Sequence, residues 1–342
     1  MTIDDSVPLT LANPKSMKLE IKAVQAGFAA VNNEGFWGIC VKKGAAYKVS
    51  LYARSNDYKG KLSVALEDAN GMVLAHSKID RINERWAKYD TVLRSDAQCS
   101  KAKFVIRANS PGTIWFDMVS MFPENTFRNR KNGLREDLAQ KLVGLKPSFM
   151  RFPGGCLVEG ITLSNRYQWK NTIGPVESRP GHYNLWGYHA TDGLGFHEYL
   201  QLCEDLNCAA MYPCNVGMSC QGRMPEYADA NGIQYLQEAL DAIEYAIGPV
   251  SSPYGRMRAE NGHPEPFNLK YIEIGNENSG PVYVQRYRLF YHEIKSRYPG
   301  LKLIADYAVP AEAVDISDEH FYESPEYFIG NATRYDKYDR KG

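Results

Sequence analysis

Two patterns of hydrophobic and polar residues divide this chain near Pro123. Before that point the alternation has period two, in Lys18-Leu19-Glu20-Ile21, Tyr47-Lys48-Val49-Ser50-Leu51-Tyr52, Lys61-Leu62-Ser63-Val64-Ala65-Leu66 and Lys103-Phe104-Val105-Ile106-Arg107. A strand with one buried face produces this alternation, because successive side chains point to opposite sides. Turn formers at Asn32-Asn33, Lys43-Gly44, Asn70-Gly71 and Ser110-Pro111-Gly112 separate the runs. Strands at this spacing without a helical period predict an all-β sandwich over residues 17–122, preceded by a linker at 1–16.

After Pro123 the period lengthens. Leu134, Leu138, Leu142 and Leu145 recur at helical spacing within 132–145, and Pro147 closes the segment. Ser148-Phe149-Met150 reads as a strand that feeds Arg151-Phe152-Pro153-Gly154-Gly155-Cys156. Helices are predicted at 195–206, 232–247 and 283–297, and strands at 209–215, 271–274 and 301–305, with a further strand ending at His320-Phe321-Tyr322. Strand and helix in alternation indicate a parallel α/β fold. No Gly-rich phosphate loop and no GxGxxG follows a strand, which argues against a nucleotide-binding doubly wound sheet. Residues 123–342 are better read as an incomplete (β/α)8 barrel.

Composition narrows the class of partner. Forty basic and forty acidic residues cancel, so no field draws the chain to nucleic acid or to an anionic membrane. The longest apolar runs are strand-sized, far short of the ~20 residues needed to span a bilayer. Met1-Thr2-Ile3-Asp4-Asp5 is polar and acidic, unlike a leader peptide, although this bears on the compartment only if Met1 is the true start. Seven cysteines form no CxxC pair and no Cys/His metal spacing, so mostly free, buried thiols are expected, with no metal or cofactor. The 23 Tyr, 13 Phe and 5 Trp suit sugar faces and ordinary cores alike.

The chemistry concentrates in Tyr271 to Gly280, YIEIGNENSG. A short apolar strand runs into Gly275-Asn276-Glu277-Asn278, and the carboxyl end of a buried strand is where an α/β barrel keeps its catalytic groups. Glu277 is then the candidate catalytic carboxylate and Asn276 a donor aimed at substrate. On these ten residues alone a polar turn explains the pattern equally well.

Three further blocks, taken with this one, decide. RFPGGCLVEG at 151–160, RYQWKNTIGPVESRPGH at 166–182, LWGYHATDGLGFHEYLQLCEDL at 185–206 and YIEIGNEN at 271–278 together resemble the family 51 glycoside hydrolases, the α-L-arabinofuranosidases. GFWGICVKKGAAYKVSLYAR, Trp86 and TIWFDMVSMFP resemble the jelly-roll carbohydrate-binding modules appended to glycanases, although Trp37, Trp86 and Trp115 could equally be packing residues. The resemblance implies retaining hydrolysis of terminal α-L-arabinofuranosyl groups on polysaccharides such as arabinan or arabinoxylan, with two carboxyls ~5 Å apart. It places the acid/base on Glu277, with a raised and adjustable pKa, and a contact to the sugar 2-hydroxyl on Asn276. Arg151 matches the arginine that orients the nucleophilic carboxylate, Tyr322 the tyrosine that touches it, and Trp186 a subsite tryptophan. His320 matches a site histidine, with a satisfied core group as the alternative. Cys156 stands where other branches carry a sugar-binding asparagine, and a thiol is a poorer donor.

The resemblance also implies a nucleophilic glutamate on a seventh barrel strand, and no Glu here matches it. The chain is therefore expected to be an internal fragment, a jelly roll plus barrel strands two to six, inactive by itself. The family is often oligomeric, so a homo-oligomer of the full-length protein is in keeping, and a secreted or periplasmic compartment stays open. Two other readings stand beside this one: another Asn-Glu barrel glycanase of xylanase or β-galactosidase type, and a non-catalytic sugar-binding protein relying on the sandwich.

Overall fold

The computed structural model describes residues 1–24, 27–131, 133–221, 225–229, 232–309 and 313–338. The chain divides into two compact units, Met1–Gly144 and Leu145–Gly342.

The first unit is built from β1 (Thr2–Asp4), β2 (Ser16–Ile21), β3 (Ala29–Asn33), β4 (Ile39–Val41), β5 (Ala46–Asn56), β6 (Leu62–Glu67), β7 (Val73–Ile79), β8 (Ala87–Arg94), β9 (Cys99–Ala108) and β10 (Gly112–Pro123). One antiparallel sheet has the order β1-β2-β10-β5-β8; the other runs β3-β9-β6-β7, with β4 also paired to β9. Alternate residues of β5, Tyr47, Val49, Leu51 and Ala53, are buried. They join Leu62, Val64, Leu66, Phe104 and Ile106 of the second sheet in one core. This is the inward face that the period-two alternation implies.

Residues 1–16 depart from the expected linker. β1 pairs with β2 in the register Thr2↔Lys18, Ile3↔Met17 and Asp4↔Ser16. The cause lies in two indole N–H groups that need acceptors. Trp115 Nε1 donates to Asp4 Oδ2 at 2.7 Å and Trp86 Nε1 to the Val7 carbonyl at 3.0 Å, which ties the leading segment to the sheet. The unit also extends past 122. Glu124 N donates to Ala46 O at 2.8 Å, and Phe127, itself buried, donates through its N–H to Leu134 O at 2.9 Å. The helix expected from 132 is α1 (Glu136–Leu145); Asn132 lies outside the described residues. Its leucines form no core stripe, since Leu138 is 57%, Leu142 38% and Leu145 74% exposed while Ala139 is buried.

The second unit contains β11 (Phe149–Arg151), α2 (Gly155–Glu159), β12 (His182–Tyr183), β13 (His189–Ala190), α3 (Phe196–Asp205), β14 (Ala209–Cys214), α4 (Ile233–Ile247), α5 (Pro253–Glu260), β15 (Leu269–Ile274), α6 (Gly280–Arg297), β16 (Lys302–Ala305), β17 (Ile316–Ser317) and α7 (Pro325–Gly330). Its main sheet has the order β11-β14-β15-β16-β17, and every pairing is parallel. Sequential parallel strands with helices between them are the arrangement of a partial α/β barrel. β12 and β13 form a separate antiparallel pair. All six residues of β14 are buried, as a central parallel strand covered on both faces requires. Phe152, Trp169, Phe196, Tyr212 and Tyr245 are buried beside it in a connected set of ring contacts. Helix α5 escaped the periodicity, yet Ser252 caps it and Pro253 occupies its first turn. The strand expected to end at Tyr322 stops at Ser317, and His320 to Tyr322 follow it as irregular chain. No described helix is long and apolar enough to cross a membrane.

Leu51 is fully buried between the two sheets of the first unit. Leu51→Ala is expected to cost about 2–5 kcal/mol, read as a lowered urea midpoint with an unchanged slope; a loss below ~0.5 kcal/mol would contradict this placement.

Candidate active site

The carboxyl ends of β11, β15 and β16 converge on the turn after β15. Gly275 makes the turn with φ of +90°, and a Cβ there would lie 2.9 Å from Asp306 Oδ2. Its N–H donates to the Cys214 carbonyl at 3.0 Å. The Asn278 N–H donates to Asp306 Oδ2 at 2.7 Å, and the buried Tyr283 hydroxyl donates to Ile274 O at 2.9 Å. Between these anchors Glu277 holds a φ of 52°, in the left-handed region that a residue with a Cβ seldom enters. The turn is locked on both sides, so Glu277 stays there.

Arg151, at the end of β11, reaches across to β15. Its Nε and Nη2 donate to Glu273 Oε2 and Oε1 at 2.5 and 2.6 Å, and Nη2 also donates to Asn276 Oδ1 at 2.7 Å. Among the described residues, the carboxylate that Arg151 meets is Glu273. Burial pushes the Glu273 carboxyl up, and the guanidinium opposes that shift. Asn276 is buried, with Nδ2 donating to Glu159 Oε2 at 3.3 Å and lying 3.7 Å from Cys156 Sγ. Gly155 makes this possible: a Cβ there would come within 1.7 Å of Asn276 Oδ1. The glycine at 155 therefore leaves room for a neighbouring side chain.

Glu277 meets three of the expected residues. Its Oε1 faces His320 Nδ1 at 2.8 Å and accepts from the Tyr322 hydroxyl, and its Oε2 lies 3.9 Å from Cys156 Sγ. His320 Nε2 faces Asp318 Oδ2 at 3.0 Å. With a carboxylate oxygen at each nitrogen, the ring satisfies both contacts as a doubly protonated imidazolium. Burial alone would lower the His320 pKa, but the bonds to Glu277 and Asp318 outweigh it and raise it. The same His320 bond, followed by that from Tyr322, lowers the Glu277 carboxyl below its ordinary value. This corrects the expectation of a raised acid/base pKa: two donors stabilise the ionised form more than partial burial penalises it.

Arg151, Cys156, Asn276, Glu277, His320 and Tyr322 thus come together. Trp186 stands apart in the turn between β12 and β13, 56% exposed, with its backbone N–H donating to Asn184 Oδ1 at 2.9 Å. Four residues had no role in the sequence reading. Glu159 is buried at the end of α2 and accepts from the side-chain amides of Asn276 and Asn278; burial pushes its carboxyl up to about 8. Glu273 pairs with Arg151, Asp318 with His320, and Asp306 pins the turn. Glu159 and Glu273 both lie inside the motif blocks, so an acidic residue flanked by apolar neighbours in RFPGGCLVEG and YIEIG was the available signal.

A carboxylate on a left-handed turn at the ends of parallel strands, ringed by Arg, Asn, His and Tyr, makes a polar candidate site on an α/β fold. The family model for the Alpha-L-arabinofuranosidase 1 domain matches residues 141–340. Alpha-L-arabinofuranosidase 1 of Arabidopsis thaliana is 39% identical over 331 residues, covering 94% of this chain and 48% of that protein. An extracellular exo-alpha-L-arabinofuranosidase of Streptomyces chartreusis is 36% identical over 342 residues, covering 92% of this chain and 41% of its own length. The arabinose-bound MgGH51 α-L-arabinofuranosidase structure superposes with a TM-score of 0.91 at 35% identity, over 99% of this chain and 57% of that one. The chain belongs to the GH51 α-L-arabinofuranosidase family, and it spans about half the length of the curated relatives it matches.

The His320 shift has a defined sign. A raised folded pKa means that its bonds to Glu277 and Asp318 stabilise fully below the ordinary value of about 6.5 and are lost as pH rises through the raised one. An NMR titration of the His320 Cε1 proton is expected to give a midpoint above 6.5 that falls in Glu277→Gln; a midpoint below 6.5 in the unaltered chain would contradict the paired geometry.

Proposed function

We propose that this chain carries the acid/base half of a retaining α-L-arabinofuranosidase site, acting on terminal α-L-arabinofuranosyl groups of plant polysaccharides. The observation that carries this reading is Asn276-Glu277 on the locked turn after β15, facing Tyr322 and His320. Glu277 protonates the glycosidic oxygen and then activates water, a role worth roughly 10²–10⁴ in rate. Of the Asn276 amide hydrogens, one is held by Glu159 and the other by the weakly accepting Cys156 sulfur, which a sugar hydroxyl can displace.

A retaining mechanism needs a second carboxyl ~5 Å from the first. The other carboxylates around Glu277 already have partners: Glu159 the two asparagine amides, Glu273 the Arg151 fork, and Asp318 the His320 ring. In this reading none of these described carboxylates is the nucleophile, which the family resemblance places on a seventh barrel strand. Once that carboxylate recruits Tyr322, one of the two donors lowering the Glu277 pKa is withdrawn, which moves Glu277 toward its acid form. The sequential parallel sheet is read as strands two to six of a (β/α)8 barrel, and the sandwich as a jelly-roll module. The RFPGGC and WKNTIGP blocks favour this over a xylanase-like glycanase.

The 342-residue chain is expected to bind an α-L-arabinofuranoside, seen by saturation-transfer NMR, with affinity at least about tenfold weaker in Asn276→Ala. It is also expected to leave an aryl α-L-arabinofuranoside unhydrolysed; turnover near ~10 s⁻¹ would overturn the missing-nucleophile reading. Absence of binding in the unaltered chain would overturn the site itself.

One observation favours a second role for the sandwich. Phe36 and Trp37 are 96% and 89% exposed, with ring centroids 6.2 Å apart, whereas Trp115 is buried. Adjacent bare rings suit stacking against pyranose or furanose faces. Trp37→Ala is expected to abolish retention on insoluble arabinoxylan while Glu277→Gln leaves it unchanged; equal retention by the Trp37 variant would refute it.

A further inference from the structure

The cysteines, scattered in sequence, are not scattered in space. Cys156 on α2, Glu159 one turn later and Cys220 beyond β14 bring two sulfurs and a carboxylate oxygen within 4.8 Å of one another. The Cys220 N–H donates to the Gly160 carbonyl at 3.0 Å, which holds the second thiol against the end of α2. Glu159 and Cys220 are buried, and Cys156 is the partly exposed member. The hydrogen-bond donors to Glu159 among the described residues are the neutral amides of Asn276 and Asn278. The charges of Glu277 and Glu273 both disfavour its ionised form. A buried carboxylate among other acids, supported by amides alone, favours a cation. The other such grouping, Glu273, Asp318 and His320, already holds the Arg151 guanidinium at Glu273.

We propose that Cys156, Cys220 and Glu159 form a binding site for one thiophilic divalent cation of the Zn²⁺ or Cd²⁺ type. A tetrahedral site with metal–sulfur bonds near 2.3 Å separates its ligand atoms by roughly 3.8 Å, so the three groups need to close by about 1 Å at most. The metal bonds to both sulfurs and to one Glu159 oxygen. Each thiol releases its proton to solvent, as does Glu159 if it carries one, and no electron is transferred. The fourth position faces Glu277, whose Oε2 is already 3.9 Å from Cys156 Sγ. A cation there engages the carboxylate assigned above as acid/base and lies beside Asn276, so it blocks the sugar; this consequence rests on the proposed function, whereas the binding does not. The site thus makes the enzyme sensitive to soft metals.

The test is a titration of the phosphine-reduced chain with Cd²⁺ alone, following the ultraviolet thiolate-to-cadmium charge-transfer band. The band is expected to saturate at one equivalent and to disappear in C156S and in C220S. C203S/C208S removes the separate buried thiol pair on the α3 side and is expected to keep the full band. E159Q is expected to weaken Cd²⁺ binding by about tenfold or more. Should C220S fail to fold by circular dichroism, C156S at the partly exposed position carries the same test. No band in the unaltered chain, a full band in C156S, or its loss in C203S/C208S would overturn the proposal. Unchanged affinity in E159Q would remove the carboxylate from the site and overturn the three-ligand form. Because the readout is spectroscopic, failure of the sugar reading leaves it intact, and the converse holds.

Discussion

The fork from Arg151 to Glu273 and Asn276 is the interaction on which the second unit's site depends. One planar guanidinium on β11 satisfies both oxygens of a buried carboxylate on β15 and the amide oxygen of the turn that follows. Arginine can do this because its donors are fixed in a fork; a lysine ammonium offers no second parallel bond. Removing one partner of such a buried pair costs about 3–5 kcal/mol, because the other charge is left without compensation. The contact joins two strands that are not neighbours in the sheet, since β14 lies between them. It therefore sets the geometry of the site at the strand ends, and everything beyond Ile274 follows from where Asn276 is held.

Around that fork the structure manages a crowd of acids. Glu159, Glu273, Glu277, Asp306 and Asp318 all gather at the ends of β15, β16 and β17 or at α2. Each is compensated differently, and the directions of their pKa shifts follow. Asp306 is pushed well up by burial, with a backbone N–H as its support, and Glu159 is pushed up with two amides. Glu277 goes down because an imidazolium and a phenol donate to it. The Glu277 environment is set by these donors more than by burial. A neighbour that takes Tyr322 or His320 away therefore changes its protonation directly, which is how an acid/base residue can be switched between its two roles.

Much of this was legible in the chain. The period-two runs became β2, β5, β6 and β9, with Leu51 and Val64 pointing inward as the alternation required. The helices at 195–206, 232–247 and 283–297 formed within a few residues of their expected limits, where the apolar period was long enough to mark a buried face. The leucine stripe of α1 misled: the period shows that a helix has an apolar face, and cannot show whether anything covers it. Residues 1–16 were misread because the indole donors of Trp86 and Trp115 that hold them lie more than seventy positions away.

For the site, the local pattern of a strand ending in a polar turn pointed to Asn276 and Glu277, whereas Arg151 and Cys156 entered through the family resemblance alone. The sequence by itself determined that a carboxylate follows a buried strand, and that the chain shares the motif blocks of a glycosidase family. Only the tertiary structure decided which groups compensate that carboxylate. It gave Arg151 to Glu273, brought His320 and Tyr322 onto Glu277 from over forty residues away, and set Cys220 against Cys156 and Glu159. Hydrogen bonds, ion pairs and thiol clusters are set by distance in space. A one-dimensional spacing rule cannot carry that information when the partners lie on different strands.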